Sequence, residues 1–387
     1  MESSETYAHV NIFLFLFYLI WYRSFHTTVE KLNKAYNSKN LILDMFWKKL
    51  YILQTKNLSK TILSSHAVSQ LTYVNDAFSA SHGHQYGIGN LNFQNKDCLW
   101  NDVHYALRIS VDVHHMERLL TDNIHILTDQ NTYLIDEKVK ELLIIVWARF
   151  SFGDTVDIEK FKTMRNLLIN TLQNVFHKNW TNYIPYLSLW VCKYKRSKHQ
   201  KDLNIIDAML KDLIQRNSGG FIHKFANNMN DIKNPCVQNN LDQIILDNAF
   251  LSVLVFDFIY ILMVNTLTHV AKYKIDEYEQ RIEKKKEFIK GSFLYPFRFR
   301  QIGNDVGIFK KGDYVLMNFI EADILFSSGP RICIGVGFVD RFYRLFFKLL
   351  KKYEFRLTCP NKKIEYSNNK NIPIITSKHE VTLIEVV

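Results

Sequence analysis

The chain has 387 residues, of which 47% are hydrophobic and 14% aromatic, enough to bury one large core or two ordinary ones. Its five cysteines are scattered without a C-x-x-C pair, which argues against a disulfide framework or a zinc site and indicates a reducing compartment. The net charge of +11 is spread along the chain, which does not favour nucleic-acid binding and suits a membrane surface or an acidic protein partner.

The first predicted element is the apolar run Val10–Tyr22, which basic residues follow. A transmembrane helix needs about 20 apolar residues, so this run is short for one. No basic region precedes it and no small-residue cleavage site follows it, which argues against a cleaved signal peptide. We expect residues 1–29 to act as a membrane anchor, which leaves the single remaining domain, 30–387, in the cytosol. An interfacial helix and a packed soluble helix remain as alternatives.

A loop is predicted at residues 79–90, which are rich in Ser, Gly and His. His82 and His84 lie in this loop. No carboxylate or cysteine stands at ligand spacing from them, so we interpret them as loop histidines rather than metal ligands.

Two longer segments are predicted to be helical. Leu99–Leu127 has helical periodicity and places Trp100 and His104 one turn apart on the same face. Leu241–Tyr273 is the most apolar internal segment and has the length of a membrane span. Asp257 within it favours a central helix that is buried on all sides.

The stretch Phe326–Gly335 reads FSSGPRICIG and leads into Phe338–Leu350, which alternates apolar and basic residues at helical spacing. One cysteine, Cys333, therefore stands at the start of an amphipathic helix, where backbone N–H groups and the helix dipole favour a thiolate. Two glycines allow the backbone to approach a flat, bulky group, and Arg331 can pair with a carboxylate of that group. These properties suit a cysteine ligand to haem iron; a buried cysteine in a glycine-containing turn is the alternative.

The spacing F-x-x-G-x-R-x-C-x-G resembles the haem-binding loop of the cytochromes P-450, and it is matched by Phe326, Gly329, Arg331, Cys333 and Gly335. The resemblance implies the cytochrome P-450 fold, a mainly α haem domain with small β-sheets. It also implies haem b (iron protoporphyrin IX) as cofactor, with the cysteine as axial ligand. The order of weaker motifs is most similar to the microsomal branch that oxidises steroids and xenobiotics.

The resemblance also implies roles for residues outside the loop. Trp100 and His104 stand where the family has a Trp-x-x-x-Arg pair that holds a haem propionate, and Arg298 or Arg300 is placed to reach a propionate as well. Asp257 aligns with the acid of the family's Ala-Gly-x-Asp/Glu-Thr motif on the central helix and would handle protons.

Several family features are missing. The central-helix motif falls on residues 254–258, where Val255 replaces the small glycine and Phe258 replaces the threonine whose hydroxyl helps to deliver protons. The ion pair of the family's Glu-x-x-Arg-Leu-Tyr-Pro segment is lost, because Lys290 and Phe293 occupy those positions. The long meander ahead of the haem loop and the proline-rich hinge after the anchor are absent as well.

Two β regions are predicted near the C-terminus. Ile308–Asn318 resembles the strand-turn-strand that precedes the haem loop in the family. Tyr353–Val387 alternates apolar and polar residues, which is typical of a small terminal β-sheet.

The resemblance implies a haem-thiolate monooxygenase that oxidises a small lipophilic substrate, a steroid, lipid or xenobiotic, with O₂ and electrons from NADPH. NADPH-cytochrome P-450 reductase would be its partner, and the endoplasmic reticulum membrane, on the side facing the cytosol, its location. Two alternatives remain. A peroxide-rearranging haem-thiolate isomerase needs neither the threonine nor the reductase, and the missing motifs favour a degenerate haem-binding protein without monooxygenase activity.

Overall fold

The computed structural model describes residues 6–22, 25–45, 48–64, 68–70, 83–88, 91, 99–176, 187–283, 297–318, 333–365 and 378–385. At residues 25, 26, 45, 68–70, 172, 173, 175, 176, 187–189 and 297–301 it describes the backbone alone. The chain divides into two compact units. Unit 1 comprises residues 1–80, 178–194 and 293–333, and unit 2 comprises residues 81–177, 195–292 and 334–387.

The strands are β1 (Tyr7–Val10), β2 (Asn40–Met45), β3 (Lys48–Leu53), β4 (Val68–Gln70), β5 (Thr132–Leu134), β6 (Phe297–Ile302), β7 (Tyr314–Asn318), β8 (Tyr353–Leu357) and β9 (Glu380–Glu385). The helices are α1 (Ile12–Tyr22), α2 (Phe25–Tyr36), α3 (Lys56–Ser64), α4 (Leu99–Ser110), α5 (Val113–Asn123), α6 (His125–Thr128), α7 (Ile135–Phe152), α8 (Ile158–Phe176), α9 (Leu187–Lys198), α10 (Gln200–Arg216), α11 (Phe221–Asn230), α12 (Pro235–Gln238), α13 (Leu241–Tyr273) and α14 (Val336–Leu349).

Unit 1 is built on a six-stranded sheet in the order β1-β2-β3-β7-β6-β4. The β1–β2 and β3–β7 pairs are parallel, and the other pairs are antiparallel. β3 and β7 come from distant parts of the chain, and Leu50 lies opposite Tyr314 in their register. Successive side chains along a strand point to opposite faces, and in this sheet both faces are apolar.

The two faces of this sheet bury different helices. One face packs against α1 and α2, in a cluster that contains Phe15, Leu19, Val29, Leu32, Leu41, Leu43, Leu50, Ile52 and Leu316. The other face packs against α3, in a cluster that contains Ile42, Tyr51, Leu53, Ile62, Leu63, Val315 and Met317. The apolar run near the start of the sequence is therefore part of unit 1: β1 pairs with β2, and α1 contributes two buried side chains to the sheet's core.

Unit 2 is organised around α13, which has 33 residues. Trp147 of α7 donates from its indole nitrogen to the carbonyl of Ser252 at 2.9 Å, and the hydroxyls of Ser151 and Ser252 lie 3.1 Å apart. Phe338 joins α14 to α7, because its ring lies 5.7 Å from that of Trp147 and 5.1 Å from that of Phe150. These contacts place α7 between the central helix and α14.

A buried arginine fixes the end of α14. Arg281 lies in the helical stretch 278–283 and is 1% exposed. Its guanidinium donates to the carbonyls of Ile275, Leu350 and Tyr353 at 3.0–3.1 Å. These bonds tie the helical stretch 278–283 to the end of α14 and the start of β8.

The predicted mainly α class is confirmed, and Leu241–Tyr273 coincides with α13. Of the described helices, α13 alone is long and apolar enough to cross a membrane, and 67% of its most apolar window is buried. The predicted terminal sheet is also present, since β8 pairs with β9 and β9 with β5, all antiparallel.

Two predicted elements differ in detail. Leu99–Leu127 is not one helix but α4, α5 and α6, because Asp112 interrupts the helix and caps α5 by accepting from the His115 backbone N–H at 2.9 Å. In Ile308–Asn318, only the second half is a strand, β7; ahead of it, Val306 and Phe309 form an isolated bridge.

Candidate functional site

Cys333 stands directly ahead of α14, and its side chain is exposed. The helix is capped by Gly335, whose carbonyl accepts from the Val339 N–H at 2.8 Å. Gly335 has φ −80°, a value that any residue adopts. The backbone conformation at this position therefore does not require a glycine. The predicted cysteine at a helix start is thus observed. Phe326, Gly329 and Arg331 of the same motif lie outside the described residues.

The helix after Cys333 has one buried and one basic face, as predicted. Its aromatic face is buried and contains Val339, Phe342, Tyr343, Phe346 and Phe347. The exposed basic residues on this helix and just after it are Arg341, Arg344, Lys348, Lys351 and Lys352. Arg344 donates to Asp340 at 2.9 Å, and Lys352 pairs with Glu385 at 3.1 Å.

Trp100 and His104 lie on one face of α4, as predicted. Their rings are stacked with centroids 4.6 Å apart, and Trp100 is only 8% exposed. Trp100 belongs to an apolar cluster with Val103 and Phe225, and Ile334 packs against this same cluster. The residue that follows Cys333 is therefore anchored on the cluster that contains Trp100.

The middle of α13 has an open apolar side. Val255 is 42% exposed, although Val253, Phe256 and Ile259 on the same helix are each 1% exposed. Phe258, which the sequence predicts to stand at the position of the family's threonine, is half-buried. An accessible apolar strip on an otherwise buried helix suits contact with a flat apolar group.

Asp257, the predicted proton-handling residue, forms an ion pair with Arg165 of α8. Arg165 is 4% exposed, and its guanidinium lies 4.0 Å from the centroid of the Phe256 ring. Burial raises the pKa of Asp257, while the charge and hydrogen bond of Arg165 oppose that rise. The carboxylate is thus held by a buried cation, whose identity could not be predicted from the sequence.

A polar cluster on the N-terminal half of α13 was not predicted from the sequence. Asp247 accepts hydrogen bonds from His84 Nδ1 and from the Tyr86 backbone N–H, both at 2.7 Å. The neighbouring Asn248 accepts from the Ile88 backbone N–H at 3.0 Å. Segment 83–88 is thereby bound to the central helix. The only sequence signal was a pair of polar residues in an apolar helix, which predicts burial but not its partners.

Arg298 and Arg300 lie on β6, opposite Met317 and Val315 of β7. They are two residues apart on one strand and so share a face of the sheet. Their side chains lie outside the described residues, so their predicted contact with a propionate stays a prediction. Within the described ranges, no group of three His, Cys, Asp or Glu side chains could hold a metal ion.

No known protein-family profile and no curated protein sequence matches this chain. Solved structures do match. The cyanobacterial CYP120A1 with bound retinoic acid has a TM-score of 0.65 at 11% identity, covering 92% of this chain and 94% of its own. A zebra fish cytochrome P450 with abiraterone has a TM-score of 0.68 at 11% identity, covering 94% and 100%. P450BioI in complex with an acyl carrier protein ligated with hexadec-9Z-enoic acid has a TM-score of 0.64 at 10% identity, covering 92% and 98%.

These likenesses show that the chain has the cytochrome P-450 fold, as the cysteine loop predicted. One local feature fits a bound haem: the exposed Cys333 directly ahead of the helix α14. At 10–11% identity the likeness extends to the fold alone, so the activity has to be argued from the residues.

Proposed function

We propose that this protein is a haem-thiolate monooxygenase, which inserts one atom of O₂ into a small lipophilic substrate and reduces the other to water with electrons from NADPH. The observation that carries the proposal is Cys333, exposed directly ahead of an amphipathic helix in a chain with the cytochrome P-450 fold. A cysteine at a helix N-terminus is favoured as a thiolate, the form that ligates iron. Haem b, when bound, would supply the iron at which oxygen is reduced.

The cofactor would be held by residues from several elements. Cys333 would be the axial ligand, with Phe326 shielding its sulfur and Gly329 and Gly335 allowing close approach of the backbone. The residues that would hold the two propionates are Arg331, Trp100, His104, Arg298 and Arg300. The stacked and buried Trp100 ring supports this role, because burial fixes the direction of its indole N–H.

Asp257 would handle protons for oxygen activation. Its raised pKa keeps the carboxyl protonated up to a higher pH than an ordinary aspartate, so it would have a proton to give, and its side chain is 25% exposed, so water can reach it. Arg165 would hold the carboxylate in one position between proton transfers. The hydroxyl that the family places next to this acid is missing, because Phe258 cannot donate a hydrogen bond.

The substrate would be lipophilic, a steroid, lipid or xenobiotic. The exposed Val255 and half-buried Phe258 on the middle of α13 support this assignment. Two of the matched structures carry retinoic acid and a hexadecenoic acid, which are both lipophilic carboxylic acids. Apolar surface of this kind binds such compounds mainly by excluding water.

The electron donor would be NADPH-cytochrome P-450 reductase, docking on the basic face that includes Arg341 and Lys348 of α14. An acidic flavoprotein would be steered toward such a face by its charge. The protein would be associated with the endoplasmic reticulum membrane and face the cytosol. Among the described helices, only α13 has the length and apolar composition of a membrane span, and it supports this location weakly because it is mostly buried.

A degenerate haem-binding protein is the second candidate, and Phe258 in place of the threonine favours it. A peroxide-rearranging isomerase, which needs no reductase, is the third. Turnover assays distinguish these three candidate functions. A monooxygenase consumes NADPH and O₂ and forms a hydroxylated product, an isomerase converts a lipid hydroperoxide without NADPH, and a degenerate protein does neither.

The decisive first experiment is the CO-difference spectrum of the reduced protein reconstituted with haem. An intact cysteine thiolate gives the red-shifted Soret band of the family. A blue-shifted band would show haem without the thiolate, and no band at all would overturn the proposal.

A further inference from the structure

The outward face of α1 is apolar although it is exposed to solvent. Phe13, Phe17, Ile20 and Trp21 are 71%, 60%, 59% and 72% exposed. The spacing i, i+4, i+7, i+8 places these four side chains on one side of the helix. The rings of Phe17 and Trp21 stack with centroids 6.1 Å apart, so the stripe is continuous along the helix.

The inward face keeps α1 folded on the sheet of unit 1. Phe15 and Leu19 are 4% and 1% exposed and pack with Leu41 and Leu43 of β2. The helix has 11 residues, so it is only about 16 Å long, while the hydrocarbon core of a bilayer is about 30 Å thick. It cannot cross a bilayer while this face remains in the sheet.

Basic residues lie on the same outer layer. α2 packs beside α1 on the same face of the sheet, through Val29 and Leu32. Its opposite side carries the exposed residues Glu30, Lys31 and Lys34, with a net positive charge. Because both helices cover one face of one sheet, their outward sides point away from it in the same direction. An apolar stripe is thus placed beside lysines, the pattern of a helix that binds anionic lipid headgroups.

We propose that unit 1 binds an anionic membrane surface through the outward face of α1, which lies in the plane of the interface while its inward face stays in the sheet. A protein partner fits less well. The four exposed side chains offer on the order of 500 Å², from about 150–250 Å² for each aromatic residue. Each partner in a stable protein interface buries about 800 Å². A lipid surface accepts a short strip, and tryptophan is enriched at such interfaces. This binding does not depend on haem.

Vesicle flotation of the full-length protein tests the surface. Binding should be stronger to vesicles of phosphatidylcholine with phosphatidylserine than to phosphatidylcholine alone. Phe17→Ser/Ile20→Ser should lower the partition coefficient about tenfold or more. Tyr105→Ser/Ile109→Ser is the matched control and should bind like the wild type, because these α4 side chains are 61% and 50% exposed but lie in unit 2.

Three further measurements define the mode of binding. Bound protein should be released by alkaline carbonate, and Lys31→Glu/Lys34→Glu should weaken binding to the anionic vesicles several-fold. Brominated lipids should quench tryptophan emission in the wild type and less in Trp21→Phe. The proposal is overturned by resistance to carbonate, which indicates a spanning anchor, by equal binding of the α1 variant and its control, or by self-association without lipid that the α1 variant abolishes.

Discussion

His84 and Asp247 form a buried pair in which Nδ1 lies 2.7 Å from a carboxylate oxygen, although 163 residues separate them in the sequence. The imidazole is 1% exposed and the carboxylate 0%. Asp207 of α10 lies 3.3 Å from the other ring nitrogen, Nε2, and the ring of Phe250 covers the imidazole at 3.9 Å. One histidine therefore connects segment 83–88 to two helices of unit 2.

The charge state of His84 should control how firmly this connection holds. Burial lowers the pKa of His84, but hydrogen bonds to Asp207 and Asp247 outweigh burial, so the pKa is raised above the ordinary 6.5. The imidazolium is attracted to both carboxylates, at 2.7 Å and 3.3 Å, whereas the neutral ring has no charge and has one N–H to donate. The stabilisation is therefore complete below the ordinary pKa and is lost as the pH rises through the raised folded-state value.

We expect His84→Ala to lower the free energy of unfolding by about 3 kcal/mol at pH 6 and by less at alkaline pH. The measurement is urea unfolding of wild type and variant between pH 6 and pH 10. His114→Ala is the control, since the His114 side chain is 97% exposed, and it should change little at any pH. A loss for His84→Ala that does not shrink as the pH rises would contradict a raised pKa for His84 in the folded protein.

The Arg165–Asp257 pair predicts a loss of stability with the opposite pH dependence, smaller at low pH rather than at high pH. Arg165→Ala leaves Asp257 buried without its cation, so the pKa of Asp257 should rise further and stability should fall by about 3 kcal/mol at pH 7. Because the cost comes from the ionised carboxyl, the loss should shrink as the pH falls through that raised pKa. Adding Asp257→Asn to the variant should restore part of the stability at pH 7. Failure of this rescue would mean that Arg165 stabilises the fold through its contact with Phe256 instead.

Haem binding should depend on Cys333 and on no other cysteine. Cys333→Ala should abolish the thiolate Soret band of the reduced CO complex, while Cys236→Ala should leave it unchanged, because Cys236 lies in the short helix α12 without the glycine-arginine frame. The two variants are measured side by side at equal protein concentration. A thiolate band that persists in Cys333→Ala would assign the ligand to another residue.

The basic face of α14 should steer the encounter with an acidic reductase. The rate of haem reduction should fall as ionic strength rises, because exposed charges are screened over about 10 Å at 0.1 M salt. Arg341→Glu should lower this rate and weaken its salt dependence. Arg344→Glu should do so less, since Arg344 already donates to Asp340. A rate that is indifferent to both salt and charge reversal would remove this face as the docking surface.

The elements that were predicted well are those whose signal is local. α13 and α14 each show an uninterrupted apolar pattern at helical spacing, and both were located within one or two residues. The cysteine loop is a dense short motif, and it led to the correct fold although no family profile matches the chain.

The elements that were missed depend on partners far away in the sequence. The sheet of unit 1 joins β3 to β7, with Leu50 opposite Tyr314, and neither strand's pattern identifies the other. His84 looked like a loop residue because its burial is created by α13 and α10. The pairing of Asp257 with Arg165 of α8 was hidden for the same reason.

Our last prediction concerns proton delivery at the middle of α13. Phe258 supplies no hydroxyl there, and Asp257 is held by Arg165, so in the proposed monooxygenase water and this one carboxyl would have to deliver the protons. Monooxygenase turnover should therefore be poorly coupled, with more NADPH consumed than product formed and the difference released as hydrogen peroxide.

The double variant Phe258→Thr/Val255→Gly tests this prediction, because it restores the hydroxyl and makes room for it. It should raise the fraction of NADPH that yields product, and the glycine itself should lower stability by about 1 kcal/mol. Leu254→Thr is the control, because it adds a hydroxyl one turn earlier on the same helix. NADPH consumed, product formed and hydrogen peroxide released are measured together for the wild type and each variant. Tight coupling in the wild type would mean that another group carries the proton or that residues 254–258 are not the family's motif. Conversion of a lipid hydroperoxide without NADPH would instead favour the isomerase.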